Sequence, residues 1–361
     1  MNCPSTHPEG HSRTAKRVYI VLVNWNGWQD TIECLESVFH LDYPNFVVVV
    51  CDNGSTDGSL ERIRLWAQGK TPVSASNPAL ARYVDSPVPK PIVSSEHSRI
   101  ANPEPHNPDA RLVLIPVGHN LGFAGGSNVG LRYALTFPDM EFAWLLNNDT
   151  VVRPDALSSL VDHMRRRPDA GMCGSTLLYY SDVNRIQACG GATYNRWFAR
   201  GTHIGTGLLL THSLPPQTLE QRLDYVVGAS MLVRRSFLEQ VGLLNEEYFL
   251  YFEEIDWATR AAGKFTLAYS PSSIVYHKEG CSVGSSPRRK ERSLLSERYA
   301  ARSRLIFTKR YFPEASPLVI FIVMLTALHR LLSGFTGKSM AIMNSLLDCF
   351  RYSTATKPGP Q

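Results

Sequence analysis

Residues 142–150 read Phe-Ala-Trp-Leu-Leu-Asn-Asn-Asp-Thr, and Arg153-Pro154-Asp155 follow. An apolar, strand-like run therefore ends in two amides and a carboxylate. Open α/β sheets place their ligands outside the carboxyl ends of their strands, so these side chains would present oxygen donors at a binding edge. Hard oxygen ligands suit Mg²⁺ or Mn²⁺ rather than zinc, and Mg²⁺ is commonly held by one or two carboxylates plus substrate phosphates. Asn147 and Asp149 are the candidate ligands. The plainer alternative is a loop leading into a helix at Pro154, a first-turn position that accommodates proline.

Upstream, the same grammar repeats. Val18–Val23, Phe46–Cys51 and Leu112–Ile115 are apolar runs of the kind found in strands buried on both faces. Between them lie helical periods: Ile32, Leu35, Val38 and Phe39 share one face of a helix that Asp30 or Thr31 could cap. Further helices are expected at about Gly125–Leu135 and after Pro154. Strand and helix in alternation predict an α/β fold with a mostly parallel, Rossmann-like central sheet and helices on both faces. Beyond Ala170, glycine-separated short strands suggest hairpins over one end of the sheet. A strand is expected over Tyr225–Arg234, and helices over Arg235–Val241 and Glu254–Ala262.

The 361 residues are 43% hydrophobic and 19% charged, with a net charge of +5, a globular composition without the charge of a nucleic-acid binder. Seven scattered cysteines with no C-x-x-C pair suggest neither a disulfide framework nor a zinc site, and reduced thiols in a cytosolic compartment are the simpler account. Residues 1–16 are polar, lack the apolar core of a signal peptide and are read as a disordered tail. A main domain would span 17–285. Within it, Pro- and Ser-rich residues 70–110 break the rhythm and are read as a mobile loop insertion. Residues 286–361 form a basic, then apolar, helical region. The basic residues there include Arg288, Arg289, Lys290, Arg292, Arg298, Arg302, Arg304, Lys309 and Arg310. The run Leu318–Leu328, even extended to Leu332, falls short of the roughly twenty residues of a spanning helix. It fits an interfacial helix flanked by basic residues, with a buried core helix as the alternative.

Polar clusters follow the strand ends. Asn24-Trp25-Asn26-Gly27 and Asp52-Asn53-Gly54-Ser55-Thr56-Asp57 could grip a base and ribose, though both are also good turn formers. Asn120-Leu121-Gly122-Phe123-Ala124-Gly125-Gly126-Ser127-Asn128 offers glycines and a helix start to anionic oxygens, but without the G-x-G-x-x-G spacing of a dinucleotide-binding oxidoreductase. Glu253, Glu254 and Asp256 open a helix beside aromatic residues. They either complement its dipole or supply a carboxyl whose pKa burial raises toward that of a general base. His277 closes another apolar run and is either structural or a ligand.

Taken in order, NWNGW, DNGSTDGS, NLGFAGGSN, LLNNDT, GASMLVRRSF, VGLLNEEYFLYFEEID and VYH resemble the motifs of family-2 glycosyltransferases of the GT-A fold. They look most like the bacterial rhamnosyltransferase branch, over roughly residues 17–312. The resemblance implies an inverting transferase using a nucleotide-diphosphate sugar and Mg²⁺ or Mn²⁺. Asn24, Asn26, Asp52 and Asn53 would then hold the nucleotide, and Asn120, Gly122, Gly126 and Asn128 the loop beside nucleotide and sugar. Asn147-Asn148-Asp149 stands where the family has its D-x-D motif, with Asp149 as metal ligand, Asn148 beside the donor and His277 completing metal or diphosphate binding. The family's base is the Asp of a Glu-Asp pair. Here the pair reads Glu253-Glu254, so Glu254 takes its place, with Glu253 and Asp256 as neighbours to weigh. A dTDP-rhamnose donor is favoured and a UDP-sugar is the alternative. The acceptor would be a glycan or a lipid-linked glycan of cell-surface polysaccharide synthesis, at the inner face of the membrane. A silent nucleotide-sugar-binding protein of the same fold is the competing expectation.

Overall fold

The computed structural model describes residues 16–97, 109–212, 215–279 and 293–352. The tail read at 1–16 lies outside them except for Lys16, as do Arg288, Arg289, Lys290 and Arg292 of the basic run. The chain begins β1 (Arg17–Asn24), α1 (Trp28–Val38), β2 (Phe46–Asp52), α2 (Ser59–Ala67), α3 (Ala81–Val84) and β3 (Ser94–Glu96). It continues with β4 (Leu112–Pro116), α4 (Gly122–Leu135), β5 (Met140–Leu146), β6 (Thr150–Val152) and α5 (Ala156–Arg166). The later half holds β7 (Ala170–Tyr179), β8 (Asp182–Cys189), β9 (Gly191–Asn195), β10 (Arg200–His203), α6 (Pro216–Glu220), β11 (Tyr225–Val226) and β12 (Ser230–Arg234). After α7 (Arg235–Val241), α8 (Glu253–Ala261) and β13 (Thr266–His277), the chain ends in α9 (Leu294–Tyr311), α10 (Ser316–Leu332) and α11 (Thr336–Tyr352).

The main sheet runs β3-β4-β2-β1-β5-β12-β7-β13-β6, with β8 paired to β7. Its first half is parallel, as the buried apolar runs demanded, whereas β12 is antiparallel to both neighbours. Alternation along each strand splits the core. Val18, Ile20 and Leu22 of β1 point into one apolar cluster, and Tyr19 and Val21 into the other. Both faces are thereby sealed, and ligands are left only the strand ends. A small sheet, β10-β9-β11, supplies the expected hairpins.

Four expectations change. Neither Asp30 nor Thr31 caps α1, which starts at Trp28 after Gly27. Asp30 instead meets Lys278 Nζ at 2.5 Å, and the Thr31 hydroxyl donates to Asn24 Oδ1 at 2.8 Å. The insertion is not a bare loop over its described part: Leu80, Val84, Val88 and Ile92 are buried, and β3 extends the sheet beside β4. The strand expected over Tyr225–Arg234 is broken at residues 227–229. Finally, a 3₁₀ turn at Pro313–Ala315 leads into α10, so the helical run Pro313–Leu332 reaches 20 residues. Prolines 313 and 317 sit in first turns, where the missing N–H costs nothing.

The C-terminal helices are part of the same body. Val319, Val323 and Ala327 of α10 pack with Ala301 and Leu305 of α9 and with Ala199 beside β10. Arg330 and Glu297 pair in their interior. The opposite face of α10 exposes Leu318, Phe321, Leu325, Leu328 and Leu332, and α11 exposes Met340, Met343 and Leu347.

Candidate active site

The polar clusters meet at the carboxyl edge of the sheet. At the ends of β1 and β2, Asn24 Nδ2 donates to Asp52 Oδ1 at 2.8 Å and to Ser55 Oγ at 3.0 Å. Asp52 Oδ2 accepts from Ser55 N at 3.2 Å, and Asn26 Oδ1 from Thr56 N at 2.7 Å. These bonds lock the two loops together. Asn53 then reaches the glycine-rich loop: its Nδ2 donates to Asn120 Oδ1 and to the Gly122 carbonyl, both at 3.0 Å, and its Oδ1 accepts from Leu121 N. Gly122 must be glycine, because at φ +72° a Cβ would stand 2.0 Å from the Phe249 carbonyl oxygen. That close approach ties the loop to the segment preceding α8.

Asn148 donates to Thr31 Oγ1 at 2.9 Å. Asp149 and His277 are joined by topology, since β13 pairs antiparallel with β6 and sets His277 opposite Thr150. His277 Nδ1 lies 2.9 Å from Gln187 Oε1, an oxygen that only accepts, so this nitrogen carries a proton. Nε2 is thereby turned to Asp149 Oδ1 at 3.2 Å, with Asn147 Nδ2 3.3 Å away. A lone pair facing a carboxylate calls for a cation between them, either a proton or a metal. Burial works against a charged imidazole here, but the Asp149 carboxylate prevails and raises its pKa. Among the described residues no group of three or more His, Cys, Asp or Glu side chains is placed to hold a metal ion. A divalent ion would thus take one carboxylate, one imidazole and the Asn147 amide, with diphosphate oxygens completing its shell. The donor set fits such an ion.

A cavity of about 280 Å³ is walled by Asn53, Asn120, Gly122, Asn148, Asp149 and His277, and also by Trp25, Glu253 and Glu254. Two consecutive residues in the left-handed region, Tyr251 (φ 67°) and Phe252 (φ 73°), turn the chain into α8 and set both glutamates in its first turn. Such strain costs about 1–3 kcal/mol per residue and is kept where function needs it. The Tyr251 hydroxyl on Ser296 Oγ (2.7 Å) and the Phe252 ring against Phe307 hold the turn. Glu253 is 3% exposed, and its Oε2 has no hydrogen-bond partner among the described residues. Burial, and then the charge of Glu254, pushes its pKa well up. Burial raises Glu254 as well, although the Gly228 N–H, 3.2 Å from Oε1, favours its charged form. A second cavity, of about 450 Å³, shares His203, Val227, Tyr251 and Glu254 with the first. Glu254 therefore belongs to the partition between two chambers, whereas Glu253 faces only the first.

Some expected residues are placed elsewhere. Asp256 is fully buried away from both cavities, its carboxylate held by Arg260 Nε at 2.8 Å and the Tyr311 hydroxyl at 2.8 Å, which withdraws it from the candidate bases. Asn128 is spent on the Leu244 backbone and Glu246. Gly126 lets α4 pack close against Val23. His203 and Gln187 were missed by sequence reasoning. They come from the hairpin region, and only a lone histidine among glycines could have drawn attention there.

A family model described as glycosyltransferase like family 2 matches residues 95–295, and one described as glycosyl transferase family 2 matches residues 19–78. The chain belongs to glycosyltransferase family 2. Within this family it is 28% identical, over 41% of its length, to the low-salt glycan biosynthesis hexosyltransferase Agl10 of Haloferax volcanii. It is also 28% identical, over 48% of its length, to the N-acetylglucosaminyl-diphospho-decaprenol L-rhamnosyltransferase of Mycobacterium tuberculosis. These matches span 45% and 61% of the two relatives. Its fold is similar to that of the Pyrobaculum calidifontis mannosyltransferase PcManGT, solved with GDP-Man and Mn²⁺. That likeness has a TM-score of 0.50 at 15% identity and covers 94% of this chain and 88% of the other. The family-2 chain thus has the GT-A architecture that its motif order implied.

Proposed function

We propose that this chain is an inverting glycosyltransferase that moves a sugar from a nucleoside-diphosphate donor in the first cavity to an acceptor hydroxyl entering from the second. The observation that carries the reading is Glu254, a carboxylate shared by both chambers and the natural place for a base between donor carbon and acceptor. Glu254 takes the hydroxyl proton as the acceptor oxygen attacks C1 from the face opposite the diphosphate. The C1–O bond breaks through an oxocarbenium-like state, the nucleoside diphosphate leaves with the bond pair, and the anomeric centre inverts. Asp149, Asn147 and His277 would hold Mg²⁺ or Mn²⁺, which when bound neutralises the charge developing on the leaving diphosphate. Asn53 and Asn120 shape the nucleotide side of the cavity, on the scaffold that Asn24 and Asp52 brace. Glu253, kept neutral by burial, donates its proton in a hydrogen bond to a hydroxyl of the donor sugar.

The rhamnosyltransferase name of the mycobacterial relative supports dTDP-rhamnose as donor, with a UDP-sugar as the alternative, and its lipid-linked substrate supports a lipid-linked acceptor. The exposed apolar face of α10 and α11, with Lys309 and Lys338 nearby in the chain, supports docking on an anionic membrane surface. Free, buried Cys34, Cys51, Cys173 and Cys189 are consistent with the cytoplasmic side. The test is nucleotide release from dTDP-rhamnose, UDP-sugars and GDP-sugars in Mg²⁺ or Mn²⁺. Release from one donor, lost in Asp149→Ala, is expected. No metal-dependent binding of any donor would overturn the reading.

A further inference from the structure

Strand β8 slips by one residue beside the end of β7. Ala188 pairs with Leu177, but Ile186 pairs with Leu178, which leaves Gln187 between them without a place in the ladder. A bulge of this kind bends its strand and re-aims the extra side chain. Gln187 is buried behind the two cavities rather than in their walls.

Topology sets how far that side chain must reach. β8 and β13 flank β7, and His277 pairs with Tyr179 on the other side of it. Neighbouring strands lie about 4.8 Å apart, so the backbones of Gln187 and His277 are separated by roughly 10 Å. Gln187 Oε1 and His277 Nδ1 nevertheless meet at 2.9 Å. A glutamine spans the gap; an asparagine is one methylene short. The main chain of the same residue is tied to the hairpin. Thr206 Oγ1 donates to the Gln187 carbonyl at 2.9 Å, and the His203 ring hydrogen-bonds the Gln187 backbone. His203 lines both chambers. One bulged residue thus sets two histidines, His277 through its side chain and His203 through its backbone.

We propose that Gln187 is a positioning residue for the divalent ion, holding the His277 ring so that Nε2 faces the ion beside Asp149. The inference rests on the metal assignment within the transferase reading above. An acceptor on Nδ1–H restricts the ring to one tautomer and one orientation, and such outer partners are commonly worth about 10–100-fold in metal affinity. A carboxylate at this position can take over the role, whereas an apolar or shorter side chain cannot. Substituting the side chain leaves the backbone bonds to Thr206 and His203 in place, so the effect falls on the metal side of the site.

The test uses Mn²⁺ itself as the probe, with dTDP or UDP and the full-length protein, read by electron paramagnetic resonance without turnover. The signal of free Mn²⁺ gives the dissociation constant, and nitrogen modulation of the echo reports an imidazole bound to the ion, with His277→Ala as the control that lacks it. Gln187→Met and Gln187→Asn are expected to raise the constant about tenfold or more and to weaken the nitrogen signal, with Tm within a few degrees. Gln187→Glu, whose carboxylate also accepts from Nδ1–H, is expected to stay within about threefold of wild type and to keep the signal. Wild-type affinity in either the Met or the Asn variant, or an equal loss in all three, overturns the proposal. Should Gln187→Met fail to fold, judged by its melting curve, Gln187→Asn decides, since it keeps the amide and shortens only its reach. Wild-type protein that binds no Mn²⁺ would overturn the metal assignment and this inference with it; normal wild-type binding that the variants leave unchanged overturns this inference alone.

Discussion

Adjacent glutamates at the start of α8 differ in chemistry because they differ in surroundings. Glu254 has a backbone N–H partner and two chambers; Glu253 has burial and an oxygen without a partner among the described residues. A raised folded pKa on Glu253 means the folded state keeps a proton that the unfolded chain releases above about pH 4.3. Stability from this group is therefore full at low pH and falls as pH rises toward the folded value. Glu253→Gln mimics the protonated form and should raise Tm at pH 7 by about 2 °C or more, a gain that vanishes near pH 4. It should also keep turnover within about tenfold, since a neutral donor remains in place. Melting curves and rates across pH check both; a dead enzyme would make Glu253 the base. Glu254 must be ionised to act, so kcat/KM should fall as pH drops through a value above that of ordinary glutamate. An acid limb at about 4.3 or lower would contradict its role. The sequence made the acids, the amides and Asp149 legible because each follows a strand end. It could not separate Asp256 from its neighbours, for the distinction lies in Arg260 and Tyr311, one helical turn and fifty-five residues away.

Among the elements, the interruption between β11 and β12 does more than a continuous strand could. Breaking the ladder at residues 227–229 frees the Gly228 N–H for Glu254, and a Cβ there would stand 2.7 Å from Glu254 Oε1. Gly228→Ala should therefore displace the carboxylate. The expected result is a fall in kcat of about tenfold or more, with donor KM little changed and Tm within a few degrees, read by steady-state kinetics and melting. Unchanged kcat would mean that the carboxylate position is not critical. Strands were legible where burial covers both faces, as in β1 and β2, because such burial writes a continuous apolar run. The segment after residue 70 was not, since Leu80, Val84, Val88 and Ile92 each plug the core singly between prolines and polar residues.

For the whole molecule, a catalytic sheet and three C-terminal helices share one packed body, with an apolar stripe left outside. Each leucine or phenylalanine buried in lipid would contribute about 1.5–3 kcal/mol. Replacing Phe321 and Leu325 together by glutamate should lower partitioning onto anionic vesicles by about tenfold or more, measured by co-sedimentation at physiological salt, without lowering Tm, because both side chains already face outward. Undiminished partitioning would send the membrane contact elsewhere. The apolarity of α10 was visible in the sequence, but its full length, with the turn at Pro313–Ala315, and its sidedness were not. Only packing against α9 shows which residues are spent inside.

The placement of one carboxylate between two chambers is tested most directly by comparing Glu254→Gln with wild type in single-turnover transfer alongside donor binding in Mn²⁺. Transfer slowed about 10²–10⁴-fold with donor affinity within a few-fold is the predicted result; near-normal transfer by the variant would contradict the account.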